Sequence, residues 1–120
     1  MNIQEFIEQV GKNAINKSFT ETLERHYGVT LNEYIRRVLS FNPDGVLFEN
    51  NDILRLLSHK EIIEANVDMA IDFTALKLIP ILDTGDNDFI TFDISSSEWC
   101  KFNIVDTIKY KQRQSLSDYF

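Results

Sequence analysis

The acidic segment Asp83–Asp88 is the only part of the sequence in which potential metal ligands lie close together. Asp83, Asp86 and Asp88 could supply the carboxylate oxygens that Ca²⁺ prefers. However, the segment lacks the Asp-x-Asp-x-Asp-Gly start and the bidentate glutamate of an EF-hand. Asp, Asn and Gly are also the residues that a hairpin connection needs. The spacing therefore favours a plain turn or a turn that contacts a partner, with a metal site as the alternative.

Residues for covalent or acid–base catalysis are few. The two histidines, His26 and His59, belong to no nucleophile motif, and Cys100 lies on the apolar side of an alternating segment. The four glycines are isolated, so the chain has no phosphate-binding loop and no dinucleotide fingerprint. We therefore predict that the protein is not an enzyme and binds no cofactor.

The charge distribution points to a basic partner. The chain carries a net charge of −7, but residues 44–98 hold twelve acids and only three bases. Such a block repels nucleic acid and anionic membranes and attracts a basic protein. The one basic aromatic cluster, Lys109–Arg113, is too short to predict a nucleic-acid site. Solubility alone is the other explanation for the acidic block.

The chain length and the cysteine count predict one cytoplasmic domain. A chain of 120 residues is the size of a single domain that needs no crosslink. The single cysteine excludes an internal disulfide and fits a reducing compartment. Met1–Val10 lacks the basic start and apolar core of a signal peptide. The longest apolar run, Leu78–Leu82, is far shorter than the ~20 residues of a membrane span.

The first half of the chain predicts helices. Apolar residues at helical spacing indicate helices at Asn2–Val10, Thr20–Tyr27 and Leu31–Leu39. Thr30 and Glu33, and later Ser58 and Glu61, have the spacing of capping boxes. The helix that follows Ser58 is predicted to end at Asn66. Between the helices we predict a turn and a short strand, at Asn42–Gly45 and Val46–Phe48.

The second half predicts a meander of three strands. The expected strands lie at 76–82, 89–94 and 98–105, with turns at Asp83–Asp88 and Ser95–Ser97. Pro80 removes a hydrogen-bond donor from the first strand and indicates an edge or a bulge. The fold class is therefore α+β, with a mainly antiparallel sheet packed against N-terminal helices.

Trp99 is the residue of this meander most open to two interpretations. The alternation that turns Cys100 and Phe102 inward turns Trp99 to the other face. If that face is open, Trp99 is an interaction hot spot. If a helix covers it, Trp99 belongs to a second apolar layer. The predicted partner-binding residues are Asp83, Asp86, Asp88, Asp93, Glu98 and Trp99.

The order of these motifs resembles the SUKH superfamily, which includes yeast cell-wall assembly regulators and bacterial immunity proteins. The similar segments are the helix and turn at 31–45, Leu57–Ile63 with Asn66, the Ile-Pro strand and its return at 78–93, and Ser115–Phe120. The chain departs from the family pattern at Asn32, where proline is common, and at Asn87, where a second glycine is usual. The resemblance covers Thr20–Phe120, and residues 1–19 form an N-terminal helical extension.

The resemblance implies a protein that binds rather than catalyses. Bacterial members neutralise a cognate toxin, often a nuclease, by direct contact. The acidic block agrees with such a role, because a nuclease presents a basic surface to its substrate and complementary charge speeds association. The alternative that the family offers is a regulatory scaffold domain without a toxin partner.

Overall fold

A six-stranded antiparallel sheet forms the centre of the computed structural model, which describes residues 1–49 and 54–120. The strands follow one another across the sheet in the order of the sequence. They are β1 (Val46–Leu47), β2 (Arg55–Leu56), β3 (Leu78–Gly85), β4 (Asp88–Asp93), β5 (Glu98–Asn103) and β6 (Ile108–Arg113). The predicted α+β class and the antiparallel meander are confirmed. Asp52 of the acidic block lies outside the described residues.

The connection between β3 and β4 is tighter than the predicted turn Asp83–Asp88. Strand β3 continues to Gly85, and Asp86 and Asn87 alone make the turn. Both have positive φ, 55° and 64°, as a two-residue type I′ hairpin requires. Asn and Asp tolerate this conformation better than other residues with a side chain, so the turn does not need glycine at position 87.

Pro80 lies at the start of an irregularity in β3, as the sequence predicts. The register with β4 shifts between Pro80 and Leu82, which marks a bulge at Ile81. Strand β2 pairs with β3 only at Leu82 and Asp83. Pro80 is therefore beyond the end of β2, where its missing N–H leaves no ladder hydrogen bond unmade.

Three helices cover one face of the sheet. They are α1 (Ile3–Val10), α2 (Lys17–Tyr27) and α3 (Glu33–Leu39). Their buried side chains, including Phe6, Leu23 and Ile35, share one core with Phe92 and Trp99 of the sheet. Among the described residues, no helix is both long enough and apolar enough to cross a membrane.

A smaller layer covers the other face. It contains α5 (Ala65–Asp68) and α6 (Phe73–Leu76), which follow α4 (His59–Ile63). Phe73 of α6 packs edge-to-face on Phe102 of β5, with ring centroids 5.8 Å apart. Cys100, next to Trp99 in sequence, lies in this second cluster. The central strands of the sheet are therefore buried on both faces. The stretch Val67–Thr74, whose structure the sequence leaves open, belongs to this smaller layer.

Two predicted helix ends are wrong. The side chain that caps α3 is Asn32, whose oxygen accepts a hydrogen bond from the Ile35 N–H at 2.9 Å, and not Thr30. Asn66 lies inside α5 and does not end a helix. Its amide instead joins α5 to α6, because its oxygen accepts from the Phe73 N–H at 2.8 Å.

The capping box of α4 is confirmed and carries an ion pair. Ser58 Oγ accepts from the Glu61 N–H, and the Glu61 carboxylate accepts from the Ser58 N–H. Glu61 also binds Arg55, with Nη2 2.7 Å from Oε2. The Arg55 guanidinium is the main reason that the pKa of Glu61 falls to about 2.

We expect Glu61→Gln to lower the free energy of unfolding by about 1–2 kcal/mol at neutral pH. The substitution removes the ion pair with Arg55, which contributes little because it is partly exposed, and weakens the helix cap. A lowered pKa stabilises the fold only while the carboxylate is ionised, so this contribution is complete above pH 4.5 and disappears as pH falls towards 2. Urea titrations at pH 7 and pH 3 measure it: the wild-type and Glu61→Gln stabilities should converge at the lower pH. Glu64→Gln, an exposed carboxylate on the next turn, is the matched control and should change little at either pH.

Strand β6 is an element that the sequence interpretation did not include. It lies at the edge of the sheet and pairs only with β5, and five of its six residues are exposed. Lys111 has a φ of 50°, and the register shifts between Trp99 and Lys101 on the paired strand, so β6 is bulged. A bulge and lysines are two devices by which an edge strand avoids pairing with another chain.

Candidate protein-binding surface

Two of the acids predicted to bind a partner, Asp83 and Asp88, form bonds within the sheet around the β3–β4 turn. Asp83 accepts a hydrogen bond from the Gly85 N–H at 2.9 Å and lies 3.5 Å from the Arg55 guanidinium. Asp88 accepts from the Asn103 side-chain amide at 2.9 Å. Asp88 also contributes, after burial, to raising the pKa of Tyr110 on β6 to about 12. These half-buried carboxylates position the turn and leave Asp86 as its exposed acid.

Asp93 and Trp99 are buried, so neither is available for contact with a partner in this structure; for Trp99 the structure supports the second of its two interpretations, a face covered by helices. Trp99 is 2% exposed and packs edge-to-face on Phe92, under the layer of helices α1–α3. Asp93 is also 2% exposed; it accepts from the Ser95 N–H and pairs with Lys109 at 3.0 Å. Both residues therefore stabilise the sheet. Glu98 is half-buried at the start of β5.

The residues considered for catalysis lie apart. Cys100 is fully buried against Thr91, and burial raises the pKa of its thiol. His59 stacks on Phe19 with ring centroids 3.6 Å apart and bonds the Leu39 carbonyl oxygen, whereas His26 is exposed on α2. Within residues 1–49 and 54–120, no group of three or more His, Cys, Asp or Glu side chains could hold a metal ion.

A hollow of about 480 Å³ lies beside the N-terminus of α3. Phe92 and Trp99 contribute to its lining, together with Tyr34 and neutral polar side chains. Its one titratable carboxylate, Glu33, is bound to Arg37 at 2.6 Å. The hollow therefore offers no pair of free acid and base groups for chemistry.

One end of the sheet brings together segments that are distant in sequence. The β3–β4 turn and the β5–β6 turn lie side by side, because the Ile104 N–H donates to the Asn87 carbonyl oxygen at 3.0 Å. Ile104 also packs against the buried cluster that contains Phe73 and Phe102. The two turns thus form one continuous surface at this end of the sheet.

The two turns carry exposed acids and exposed apolar side chains, and we call them the acidic turn surface. The acids are Asp86 and Asp106, both exposed. Val105 lies in the β5–β6 turn and Ile108 begins β6, and they are 69% and 52% exposed. No cation of the described part of the chain forms an ion pair with either acid.

The acids of the acidic turn surface differ from several acids of the chain that bind a base. Glu24 pairs with Arg36, Glu61 with Arg55 and Asp93 with Lys109. Unpaired, exposed carboxylates attract cations from a distance of about one Debye length, 8 Å at physiological salt. Only Asp86 of this surface was among the residues predicted from the sequence. The exposure of Val105 gave no sequence signal, because valine is among the residues that are most often buried.

Comparisons of the chain with protein-family models, with curated proteins and with solved structures gave no match.

Proposed function

We propose that this protein is a protein-binding module of the immunity type, which neutralises a basic toxin domain by direct contact. The observation that carries the proposal is the acidic turn surface, where unpaired carboxylates adjoin exposed apolar side chains at one end of the sheet. A partner with a positive surface would be attracted over a distance and would bury the apolar side chains on contact.

The resemblance to the SUKH superfamily supports the same proposal. Its motifs imply helices followed by a mainly antiparallel sheet, an order that agrees with the elements described here. A nuclease toxin would present such a basic surface, and an inhibitor of this kind acts in the cytoplasm without catalysis of its own. We therefore propose that the chain has no enzymatic activity and does not bind nucleic acid.

Co-expression with the product of the adjacent gene tests the proposal. We expect the adjacent gene alone to stop growth of its host cell and the pair to restore it, with both polypeptides retained together on an affinity column. If the neighbouring product is neither toxic nor retained, the immunity function is wrong. A neighbourhood without toxin genes, combined with capture of a cell-wall regulatory protein, would favour the scaffold alternative.

A further inference from the structure

Strands β4, β5 and β6 present a row of side chains on one face of the sheet, near the two turns. Ile90 of β4 lies opposite Lys101 of β5, and Lys101 lies opposite Tyr110 of β6. Ile108 precedes Tyr110 by two residues in a regular part of the register, so both side chains point to the same side. Lys101 follows Trp99 by two residues, so the row lies on the face of Trp99, and α5 and α6 cover the opposite face.

A hollow of about 250 Å³ opens on this face, beside the row. Its lining includes residues of the sheet and of the C-terminal 3₁₀ helix, namely Thr84, Ile90, Lys101, Tyr119 and Phe120. Phe120 is 40% exposed and Ile108 is 52% exposed. Lys101 connects these two, because it lines the hollow and pairs with Tyr110, which lies next to Ile108. Ile108, Tyr110, Lys101 and Phe120 thus form one patch, which we call the anchor patch.

The turn end of the anchor patch carries carboxylates. Asp88 and Ile108 both pair with Asn103 in the sheet, so the acid and the apolar side chain lie on either side of it. Asp86 and Asp106 belong to the adjoining turns and are exposed. Three acids therefore lie at the end of the sheet where Ile108 is exposed.

The bases of β5 and β6 are placed differently. Lys109 lies on the opposite face of the sheet, where its ammonium binds Asp93 at 3.0 Å. Lys111 and Arg113 lie at the bulge of β6 and beyond it, further from the turns. Lys101 is the base that remains in the anchor patch. A partner that covers the patch and the two turns therefore meets more negative than positive charge, so charge complementarity selects a basic partner.

We infer that the basic partner docks on this face of the sheet, and not on the layer of α5 and α6. One apolar side chain of the partner enters the hollow beside Phe120 and another covers Ile108, while its lysine or arginine side chains meet the carboxylates of the turns. This inference rests on the proposed function, that the chain binds a basic protein. The carboxylates act before contact and raise the association rate, whereas the apolar contacts form once water has left and slow dissociation.

Two double variants test the docking face. Ile108→Ser/Phe120→Ser removes the exposed apolar groups of the anchor patch, and Asp86→Asn/Asp106→Asn removes the free charge of the turns. The matched controls are on the other layer and have the same chemistry: Val67→Ser/Leu76→Ser, at side chains 85% and 47% exposed, and Glu64→Gln/Asp68→Asn, at two exposed acids. The probe is the neighbouring-gene product retained in the co-expression experiment, in a catalytically inactive form, measured by surface plasmon resonance at low and physiological salt.

We expect Ile108→Ser/Phe120→Ser to dissociate at least about tenfold faster with little change in association. Asp86→Asn/Asp106→Asn should associate several-fold more slowly at low salt, by about the same factor as at no other pair of acids tested, and should dissociate at nearly the wild-type rate. Both controls should behave as wild type. Ile108→Ser alone, at the exposed start of β6, gives the same test if the double variant does not fold.

Amide chemical shifts locate the contact independently of any substitution. Addition of the same probe to the isotope-labelled wild-type chain should move the resonances of residues 108–110 and of Phe120, and should leave those of α5 and α6 in place.

Four outcomes would count against the inference. If the partner is retained but Ile108→Ser/Phe120→Ser dissociates at the wild-type rate, or Val67→Ser/Leu76→Ser dissociates as fast as it does, the docking face is wrong and the binding function stands. Shifts confined to α5 and α6 lead to the same conclusion. A wild-type chain that forms a dimer which Ile108→Ser dissociates would show that a second copy occupies the patch. If the wild-type chain retains no neighbouring product, the proposed function itself fails.

Discussion

Replacing Phe73 with alanine is expected to lower the free energy of unfolding by about 3–5 kcal/mol, the usual cost of removing a buried aromatic ring. Phe73 is fully buried and is the residue through which α6 packs on Phe102 of the sheet. The layer it belongs to is small, since Ala65, Leu78, Cys100 and Phe102 are its other buried members. Few side chains are therefore available to refill the space.

Chemical denaturation measures this loss, and amide hydrogen exchange locates it. The amides of α5 and α6 should exchange faster in the variant than those of α2, because the small layer opens before the main core does. Val67→Ala is the matched control in the same segment; the side chain is 85% exposed, so its truncation should change stability by less than about 0.5 kcal/mol. A loss below about 1 kcal/mol for Phe73→Ala would contradict the packing described here.

Gly45→Ala is expected to be the second severe substitution, with a loss of about 2–4 kcal/mol from positive φ and a steric clash combined. Gly45 has a φ of 78°, and a β-carbon there would lie 2.6 Å from the Leu56 carbonyl oxygen. The Leu56 oxygen is a backbone atom of β2, and Gly45 directly precedes β1, which pairs with β2, so neither residue can move without disturbing the sheet.

Gly28→Ala separates the two causes. Gly28 ends α2 with a φ of 68°, close to that of Gly45, but a β-carbon there would meet no atom within 4 Å. Only the cost of the left-handed conformation remains, about 1 kcal/mol. The losses of unfolding free energy in Gly45→Ala and Gly28→Ala, measured by thermal and urea denaturation, should therefore differ by more than the uncertainty of either measurement. Equal losses at the two positions would show that the contact with Leu56 is unimportant.

The predictions that succeeded depend on local rules. Ser58 and Glu61 satisfy each other within one helical turn, and Asp86–Asn87 provides the two residues that a tight hairpin needs. The alternation of Trp99 and Cys100 correctly assigned them to opposite faces, because a strand has a period of two whatever its surroundings. Such features are determined by residues close in sequence, so the sequence shows them.

What the sequence left open or missed depends on distant neighbours. Alternation cannot reveal whether a face is covered, so Trp99 had two interpretations, and helices from the other end of the chain decide between them by burying it. The burial of Asp93 was missed because its partner, Lys109, belongs to β6, a strand that the sequence interpretation did not include. Strand β6 escaped prediction because an uncovered edge strand needs no alternating pattern. Asn32 took the capping role from Thr30 because α3 begins two residues later than the apolar stripe.

The candidate surface was predictable only in its charge. The acidic block is visible in the sequence, but which acids are free depends on the ion pairs that the fold makes. Asp83, Asp88 and Asp93 are bonded within the chain, whereas Asp106, which the sequence did not single out, forms no ion pair within the described part of the chain. The net charge of a segment therefore predicts the sign of the charge on a partner better than it predicts which residues contact that partner.

The order of the elements along the chain has a consequence for synthesis on the ribosome. Helices α1–α3 are complete at Leu39, but Phe92 and Trp99, which complete the core they share, emerge much later. At about 5–20 residues per second, residues 40–99 take roughly 3–12 s to synthesise. During that interval Phe6, Leu23 and Ile35 have no sheet to cover them, and the nascent helices present an apolar surface that a chaperone can hold. The main core therefore cannot close before β4 and β5 have been synthesised, and folding does not proceed progressively from helices α1–α3.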